Sequence, residues 1–145
     1  MDVLTLLRSK NRYLRRFEQA SLRFLDETQG ELDGPAFLAV VTRLETSRNR
    51  IIKALDLFNR ELTQSIEKLP SSARDESFIA EARRETDEAD RLVSLLLELD
   101  SSISSRIRAC QERIALELAA SEKSKRIISQ FKSARPSGEG LDQKL

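Results

Sequence analysis

The fold is decided by residues Ser72–Ser133, which read SARDESFIAEARRETDEADRLVSLLLELDSSISSRIRACQERIALELAASEKSKRIISQFKS. This stretch contains no Gly and no Pro, the two residues that most disfavour a helix interior. A continuous helix over it would be about 90 Å long at roughly 1.5 Å per residue. A domain of this size needs much less to close one core. The helix must therefore be covered by other helices, or it must break.

Apolar residues recur along this stretch with alternating spacings of three and four, the heptad pattern of helices that pack side by side. The line runs through Ile79, Ala82, Thr86, Ala89, Val93, Leu96, Asp100, Ile103, Ile107, Cys110 and Ile114. It weakens through Glu117, Ser121 and Ser124 and recovers at Ile128 and Phe131. A break near Asp100 stays open, because Asp100 can either pair inside the seam or cap a new helix beginning near Ser101.

Gly and Pro divide the chain into three helical blocks. The dividing residues are Gly30, Gly34 and Pro35, then Pro70, then Pro136, Gly138 and Gly140. We predict helices over about 2–29, 35–69 and 72–133, with Asp33 or Gly34 capping the second helix and a capping box of Ser72 and Asp75 starting the third. The short connection at Pro70 makes the second and third helices antiparallel neighbours.

The sequence thus predicts an all-α protein. Its expected architecture is an antiparallel three-helix bundle with coiled-coil character and a long C-terminal helix, forming one domain over residues 1–133. The second block supplies the cleanest heptads, in which only Arg48 interrupts the apolar line. That line is Phe37, Val41, Leu44, Arg48, Ile51, Leu55, Phe58 and Leu62. Residues 134–145 lack apolar periodicity and are predicted to be a disordered tail.

Charge is distributed in blocks that nearly cancel, leaving a formal net charge of +1. Residues 1–25 carry six Lys or Arg against two acids, whereas residues 71–100 carry nine acids against four Arg. The basic face of the first block consists of Arg8, Arg12, Arg15, Arg16 and Arg23. It carries no interleaved aromatic residues for base stacking, so it is interpreted as a solvated face or as the pairing surface of the acidic segment, with no nucleic-acid partner.

The residues that usually carry enzyme chemistry are scarce in this sequence. There is no His, and the single Cys, Cys110, lies on the apolar line without an activating base. No Gly-rich phosphate loop or Cys pair occurs. We therefore predict no enzyme activity, no catalytic residues, no cofactor and no metal site. No signal peptide or membrane span is recognisable, so we expect a cytoplasmic protein that is not inserted in a membrane.

The order of these elements resembles that of the FlgN and FliT type of flagellar export chaperone. The residues that carry the resemblance are Phe37–Leu62, with Leu44, Arg48, Arg50 and Leu55, and Leu95–Arg113, with Leu99, Asp100 and Ile103. The resemblance implies a cytoplasmic bundle that binds the amphipathic C-terminal helix of a hook-associated or filament-cap protein and delivers it for export. The family commonly has a Tyr near the end of the last helix, where this chain has Phe131.

The C-terminal part of the third helix is the predicted partner site. Because the turn at Pro70 ties the start of the third helix to the end of the second, pairing should cover it only to about Leu99 or somewhat beyond. The residues expected to bind a partner helix are Ile103, Ile107, Ile114, Leu118, Ile128 and Phe131. Two alternatives stay open: the seam pairs with a second copy in a self-associating coiled-coil module, or it folds back as a fourth helix.

Overall fold

A computed structural model describes residues 1–134, the side chains of the last two excepted, and contains three α-helices with one short 3-10 turn. Helix α1 spans Val3–Glu27, α2 spans Gly34–Glu67 and α3 spans Glu76–Ala134, while the 3-10 turn spans Ser71–Ala73. None of residues 1–134 lies in a β-strand. The all-α prediction is confirmed. The predicted disordered tail lies outside the described residues, apart from Ala134, which ends α3.

Each long helix begins at an aspartate whose carboxylate accepts a backbone N–H from the first turn. Asp2 accepts from Thr5 N, Asp33 from Ala36 N and Asp75 from Phe78 N, each at 2.8 Å. These bonds satisfy amide hydrogens that have no partner within the helix. The predicted cap at Asp33 is confirmed.

The capping box predicted at Ser72 is wrong, because α3 begins four residues later than expected. The backbone after Pro70 first forms a 3-10 turn, in which Ala73 N donates to Pro70 O at 3.0 Å and Arg74 N donates to Ser71 O at 3.1 Å. The guanidinium of the same Arg74 donates to Ile66 O at 3.1 Å, and this carbonyl near the end of α2 also accepts Leu69 N at 3.2 Å. The turn is therefore held at both ends by hydrogen bonds.

Helix α3 continues without interruption through Asp100. The possible break at this point does not occur, and no helical hydrogen bonding is lost between Ser94 and Ile103. Asp100 instead pairs within the seam, as described below.

Residues 1–107 form one compact unit, in which the three helices run up, down and up. Glu27 at the end of α1 pairs with Arg43 near the start of α2 at 2.8 Å, so these two helices are antiparallel. Arg8 on α1 pairs with Glu81 on α3 at 2.7 Å, and Arg106 reaches the end of α1, so α1 and α3 are parallel. Helix α2 is therefore antiparallel to both neighbours.

The core of this unit includes two apolar clusters. The larger contains Leu14, Phe17, Ile51, Ala89, Leu92 and Leu96, and the smaller contains Val3, Leu6 and Leu62. The predicted core position of Ile51 is confirmed, while Leu55 and Phe58 are partly buried against the two clusters. Every helix contributes to at least one cluster, so removing any of them would expose apolar surface.

In the first half of α3, alternate positions of the predicted heptad line are displaced by one residue. Ile79 and Val93 were placed on the seam, yet they are 47% and 44% exposed, whereas Leu92 is completely buried. Ala89 and Leu96 lie on the predicted line and are buried as expected. Helix α1 packs against the side of α3 that carries Glu81, Glu85 and Glu88, which buries Leu92 in place of Val93. The spacing of apolar residues predicts that one side of a helix is buried. It does not predict which of two adjacent lines of residues faces a second neighbouring helix.

The second compact unit begins at Arg108. Its described residues are the C-terminal part of α3, 108–134, which measures about 40 Å at roughly 1.5 Å per residue. We refer to residues 108–134 as the arm.

Candidate interaction surfaces

Two ion pairs connect α1 to α3 across the bundle. Arg8 Nη2 lies 2.7 Å from Glu81 Oε2, and Arg15 Nη2 lies 3.1 Å from Glu88 Oε2. Hydrogen bonds from Arg91 and from Arg15 lower the pKa of the Glu88 carboxyl to about 2. The interpretation of the basic face as a pairing surface for the acidic segment is confirmed for Arg8 and Arg15.

Between these ion pairs lies a buried polar contact that the sequence analysis missed. Asn11 is completely buried, and its Nδ2 donates to both Glu85 O and Glu85 Oε1 at 2.9 Å. Within residues 1–134, Asn11 Oδ1 has no hydrogen-bond partner. A buried amide with only one possible partner residue disfavours other alignments of the two helices, so it helps to specify their register.

Arg48 and Asp100, the two residues that interrupt the predicted seams, pair with each other. Arg48 Nη2 lies 3.3 Å from Asp100 Oδ2, and the guanidinium carbon of Arg48 lies 5.3 Å from the centre of the Phe17 ring. Both side chains are about one-third exposed. The contact is therefore part of the bundle and leaves neither charge for an external partner.

Arg106 connects α3 to the C-terminal end of α1. Its Nη1 donates to Leu25 O at 2.9 Å and to Thr28 Oγ1 at 3.0 Å. A guanidinium at the C-terminus of α1 satisfies a carbonyl that has no helical partner and interacts favourably with the negative end of the helix dipole.

The arm exposes most of its large apolar side chains. Five of them are more than half exposed: Leu116 at 71%, Leu118 at 61%, Ile127 at 56%, Ile128 at 55% and Phe131 at 65%. Cys110, at the beginning of the arm, is buried and free, as its position on the apolar line predicts. These exposed residues give the arm an apolar surface.

The six residues predicted to bind a partner divide into three groups. Ile103 is only 2% exposed, so its predicted exposure is wrong: the bundle extends past Leu99 to Ile107. Ile107 and Ile114 are half-buried. Leu118, Ile128 and Phe131 are exposed. The apolar surface available to a partner therefore begins near Ile114.

Leu116 and Ile127 are exposed residues that the heptad line left out. They are eleven positions apart, which is close to three helical turns, so they project from the same side of the arm. Leu116 precedes Leu118 by two positions and is therefore about 200° away around the helix. The arm thus carries apolar side chains on two sides. A single heptad line follows only one side, but a helical-wheel projection of residues 114–131 would have shown both.

A groove of about 670 Å³ lies between α1 and α2. Its lining includes four arginines: Arg16, Arg23, Arg43 and Arg50. Apolar residues form its floor: Phe24, Val40, Leu44 and Ile51. A second hollow on α2 shares Arg43 and Arg50 with this groove and adds Leu38, which is 64% exposed. We call these arginines and their apolar floor the basic groove.

Residues 1–134 contain no group of three or more His, Cys, Asp or Glu side chains arranged to hold a metal ion. None of the helices in this described part is both long enough and apolar enough to cross a membrane.

Compared with protein-family models, with curated proteins and with solved structures, the chain shows no match. The functional inference therefore rests on the surfaces described above.

Proposed function

We propose that the protein is an export chaperone of the flagellar, type III kind, whose arm holds an amphipathic helix of a hook-associated or filament-cap protein in the cytoplasm. The observation that supports this proposal is the exposure of Leu116, Leu118, Ile127, Ile128 and Phe131 within a short part of one helix. The pattern resemblance of Phe37–Leu62 and Leu95–Arg113 to the FlgN and FliT chaperones supplies the identity of the partner.

A helical partner suits this surface better than a small ligand does. The exposed side chains are distributed along a rod, and an amphipathic helix contacts such a rod through residues spaced three and four apart. Full burial of one Leu or Ile side chain contributes roughly 1.5–3 kcal/mol to the free energy of binding. Covering three of them therefore offsets part of the entropic cost of ordering the partner.

The bundle has the properties expected of a scaffold for such an arm. Its cross-helix ion pairs, the contacts of Asn11 Nδ2 with Glu85 and the Arg48–Asp100 pair all form between residues of the bundle itself, so these contacts do not need a partner. A partner helix therefore need only cover the arm.

Self-association is a second candidate, and the charge order along the arm favours it. Residues 108–122 carry three Glu and two Arg, whereas residues 123–134 carry four bases and no acid. In an antiparallel pair of arms, Glu112, Glu117 and Glu122 of one copy would lie opposite the basic half of the other. The protein would then be a coiled-coil assembly module.

Direct binding of candidate helices tests the proposal. Synthetic peptides with the C-terminal helices of the hook-associated and filament-cap proteins from the same organism would be titrated into the protein by calorimetry. We expect one peptide to bind, and the double variant Leu118→Asp/Ile128→Asp to weaken its binding by at least about tenfold, equivalent to about 1.4 kcal/mol.

The matched control carries the same two charges on another side of the arm. Ala115 and Ala119 are exposed and lie on the side of the arm that carries none of its large apolar residues, so Ala115→Asp/Ala119→Asp should bind the peptide normally. Absence of binding by every peptide, or equal binding by the two double variants, would contradict the proposal. If the wild type is instead a dimer that Leu118→Asp/Ile128→Asp dissociates, the assembly module is the correct function.

A further inference from the structure

The basic groove lies within residues 1–107, between α1 and α2. Its four arginines form none of the ion pairs with α3 described above, whereas Ile51 of its floor also packs against α3. Its arginines occur in two pairs with the same spacing: Arg16 and Arg23 on α1, and Arg43 and Arg50 on α2. Residues seven apart lie on one side of a helix, about 10.5 Å from each other along its axis. Two helices therefore direct regularly spaced guanidinium groups toward one groove.

The two pairs alternate along the groove because α1 and α2 are antiparallel. The register is given by the Glu27–Arg43 ion pair at 2.8 Å and by the contact of Tyr13 with Phe58, whose ring centres are 5.2 Å apart. The resulting order is Arg16, Arg50, Arg23, Arg43. Positive charge is thus present on both walls along the whole groove.

These charges are only partly neutralised inside the chain. Glu27 pairs with Arg43, and Arg16 lies over the Tyr13 ring with its guanidinium carbon 4.7 Å from the ring centre. Neither Arg23 nor Arg50 forms an ion pair within residues 1–134. Both are exposed, so their guanidinium groups are accessible to a carboxylate from another molecule.

The protein itself shows which arrangement of acids satisfies such arginines. On the other side of α1, Arg8 and Arg15 are seven apart, and they pair with Glu81 and Glu88, which are also seven apart on a parallel helix. A helix with glutamates at this spacing therefore fits a helix with arginines at the same spacing.

From this complementarity we propose that the basic groove binds an acidic amphipathic helix, which packs its apolar face on the groove floor and aligns carboxylates with Arg23 and Arg50. The occupant would be a fourth helix of the bundle supplied by another protein. Leu38, exposed at the adjoining hollow, extends the apolar floor for a longer helix. The proposal involves no residue of the arm and stands independently of the chaperone function.

The composition of the groove favours a helix over nucleic acid. Leu38 is 64% exposed at the adjoining hollow, and a phosphate backbone would leave this apolar side chain uncovered. The only aromatic ring at the groove surface that could stack on a base is Tyr13, and Arg16 already covers it.

The test uses two designed peptides of about 21 residues with Leu at the a and d positions. The acidic probe has Glu at the e and g positions, and the basic probe has Lys there. Fluorescence anisotropy of labelled probes measures binding to the full-length protein. We expect the acidic probe to bind at least about tenfold more tightly than the basic probe, and Arg23→Glu/Arg50→Glu to reverse that preference.

Two control variants locate the site. Arg12→Glu/Arg60→Glu changes two exposed arginines of α1 and α2 that do not line the groove, and it should keep the preference of the wild type. The arm variant Leu118→Asp/Ile128→Asp should also keep it. The thermal midpoint of each variant, followed by circular dichroism, verifies that the bundle remains folded.

Several results would overturn the proposal. Equal affinity of the acidic probe for the wild type and for Arg23→Glu/Arg50→Glu would show that the probe does not bind in the groove. Loss of binding in the arm variant would show that the probe binds to the arm. A labelled single-stranded oligonucleotide that binds more tightly than the acidic probe, and is released by Arg23→Glu/Arg50→Glu, would assign the groove to phosphates instead.

Discussion

Arg48 on α2 pairs with Asp100 on α3, although the two residues are 52 positions apart in the sequence. Each is a charged residue on a seam that is mainly apolar within the bundle, and the antiparallel packing of the two helices brings the two charges to the same level. Oδ1 of Asp100 is buried without a hydrogen-bond partner in residues 1–134, so the carboxylate depends on Arg48 for its compensation. The pair therefore ties the register of α2 to that of α3.

The first prediction concerns removal of one partner of this pair. Arg48→Met should destabilise the protein by about 1–2 kcal/mol, between the values typical of exposed and of fully buried pairs, because it leaves the half-buried Asp100 carboxylate uncompensated. The double variant Arg48→Met/Asp100→Leu should regain most of this loss, since an apolar pair of similar size fits the seam. Urea denaturation of the two single variants and the double variant measures the coupling. Strictly additive effects would show that the two residues do not interact.

The second prediction concerns Asn11, whose Nδ2 donates to Glu85. Asn11→Ala should lower the free energy of unfolding by about 1–3 kcal/mol, because it removes a buried donor and leaves a small cavity. Asn11→Asp should be worse at neutral pH, since it places a carboxylate against the carbonyl and carboxylate of Glu85. Its deficit relative to Asn11→Ala should shrink in acid, where carboxyl groups are protonated. Identical urea midpoints for the two variants at all pH values would contradict this arrangement.

The third prediction concerns the pH dependence of the Glu88 contacts with Arg91 and Arg15. The pKa of Glu88 is lowered from 4.5 to about 2 in the folded protein, so its contribution to stability is fully present above about 4.5 and is lost as the pH falls toward about 2. The stability difference between the wild type and Glu88→Gln should thus be largest at neutral pH and shrink through this window. Urea denaturation at several pH values measures it, and a difference that grows in acid would have the wrong sign.

The fourth prediction contrasts the bundle with the arm. Leu92 is completely buried, and Leu92→Ala should cost about 2–5 kcal/mol. Leu118 is 61% exposed, and Leu118→Ala should change the free energy of unfolding by no more than about 0.5 kcal/mol. Thermal unfolding monitored by circular dichroism measures the stability of the two variants. A large loss in Leu118→Ala would place that side chain inside a core, in the protein alone or in a dimer.

The helices and their directions could be predicted from the sequence because they depend on local signals. Long runs without Gly or Pro give the helices, Asp33 gives one cap, and the short connection at Pro70 makes α2 and α3 antiparallel. Opposite charge blocks also indicated that the arginines of α1 face an acidic segment, as Arg8 and Arg15 do.

The features that the sequence did not predict depend on which residues of different helices contact each other. The heptad line placed Val93 on the seam, but the packing of α1 buries Leu92 instead. The contacts of Asn11 depend on a register between helices more than seventy residues apart, which no local pattern encodes. The equal spacing of the groove arginines is visible in the sequence, because Arg16 and Arg23 are seven residues apart, as are Arg43 and Arg50. Only the fold shows that the two pairs lie beside one groove.

Hydrogen–deuterium exchange of the arm, with and without a bound helix, tests the central claim most directly. In the free protein at low micromolar concentration, the backbone amides of residues 111–132 should exchange much faster than those of the bundle helices, because little tertiary packing protects the arm. A saturating amount of the peptide that binds should slow their exchange by at least about tenfold and leave the bundle amides nearly unchanged. Exchange of residues 111–132 that is already slow in the free protein, or that does not change when the peptide is added, would contradict the claim that the arm is an open surface for a partner helix.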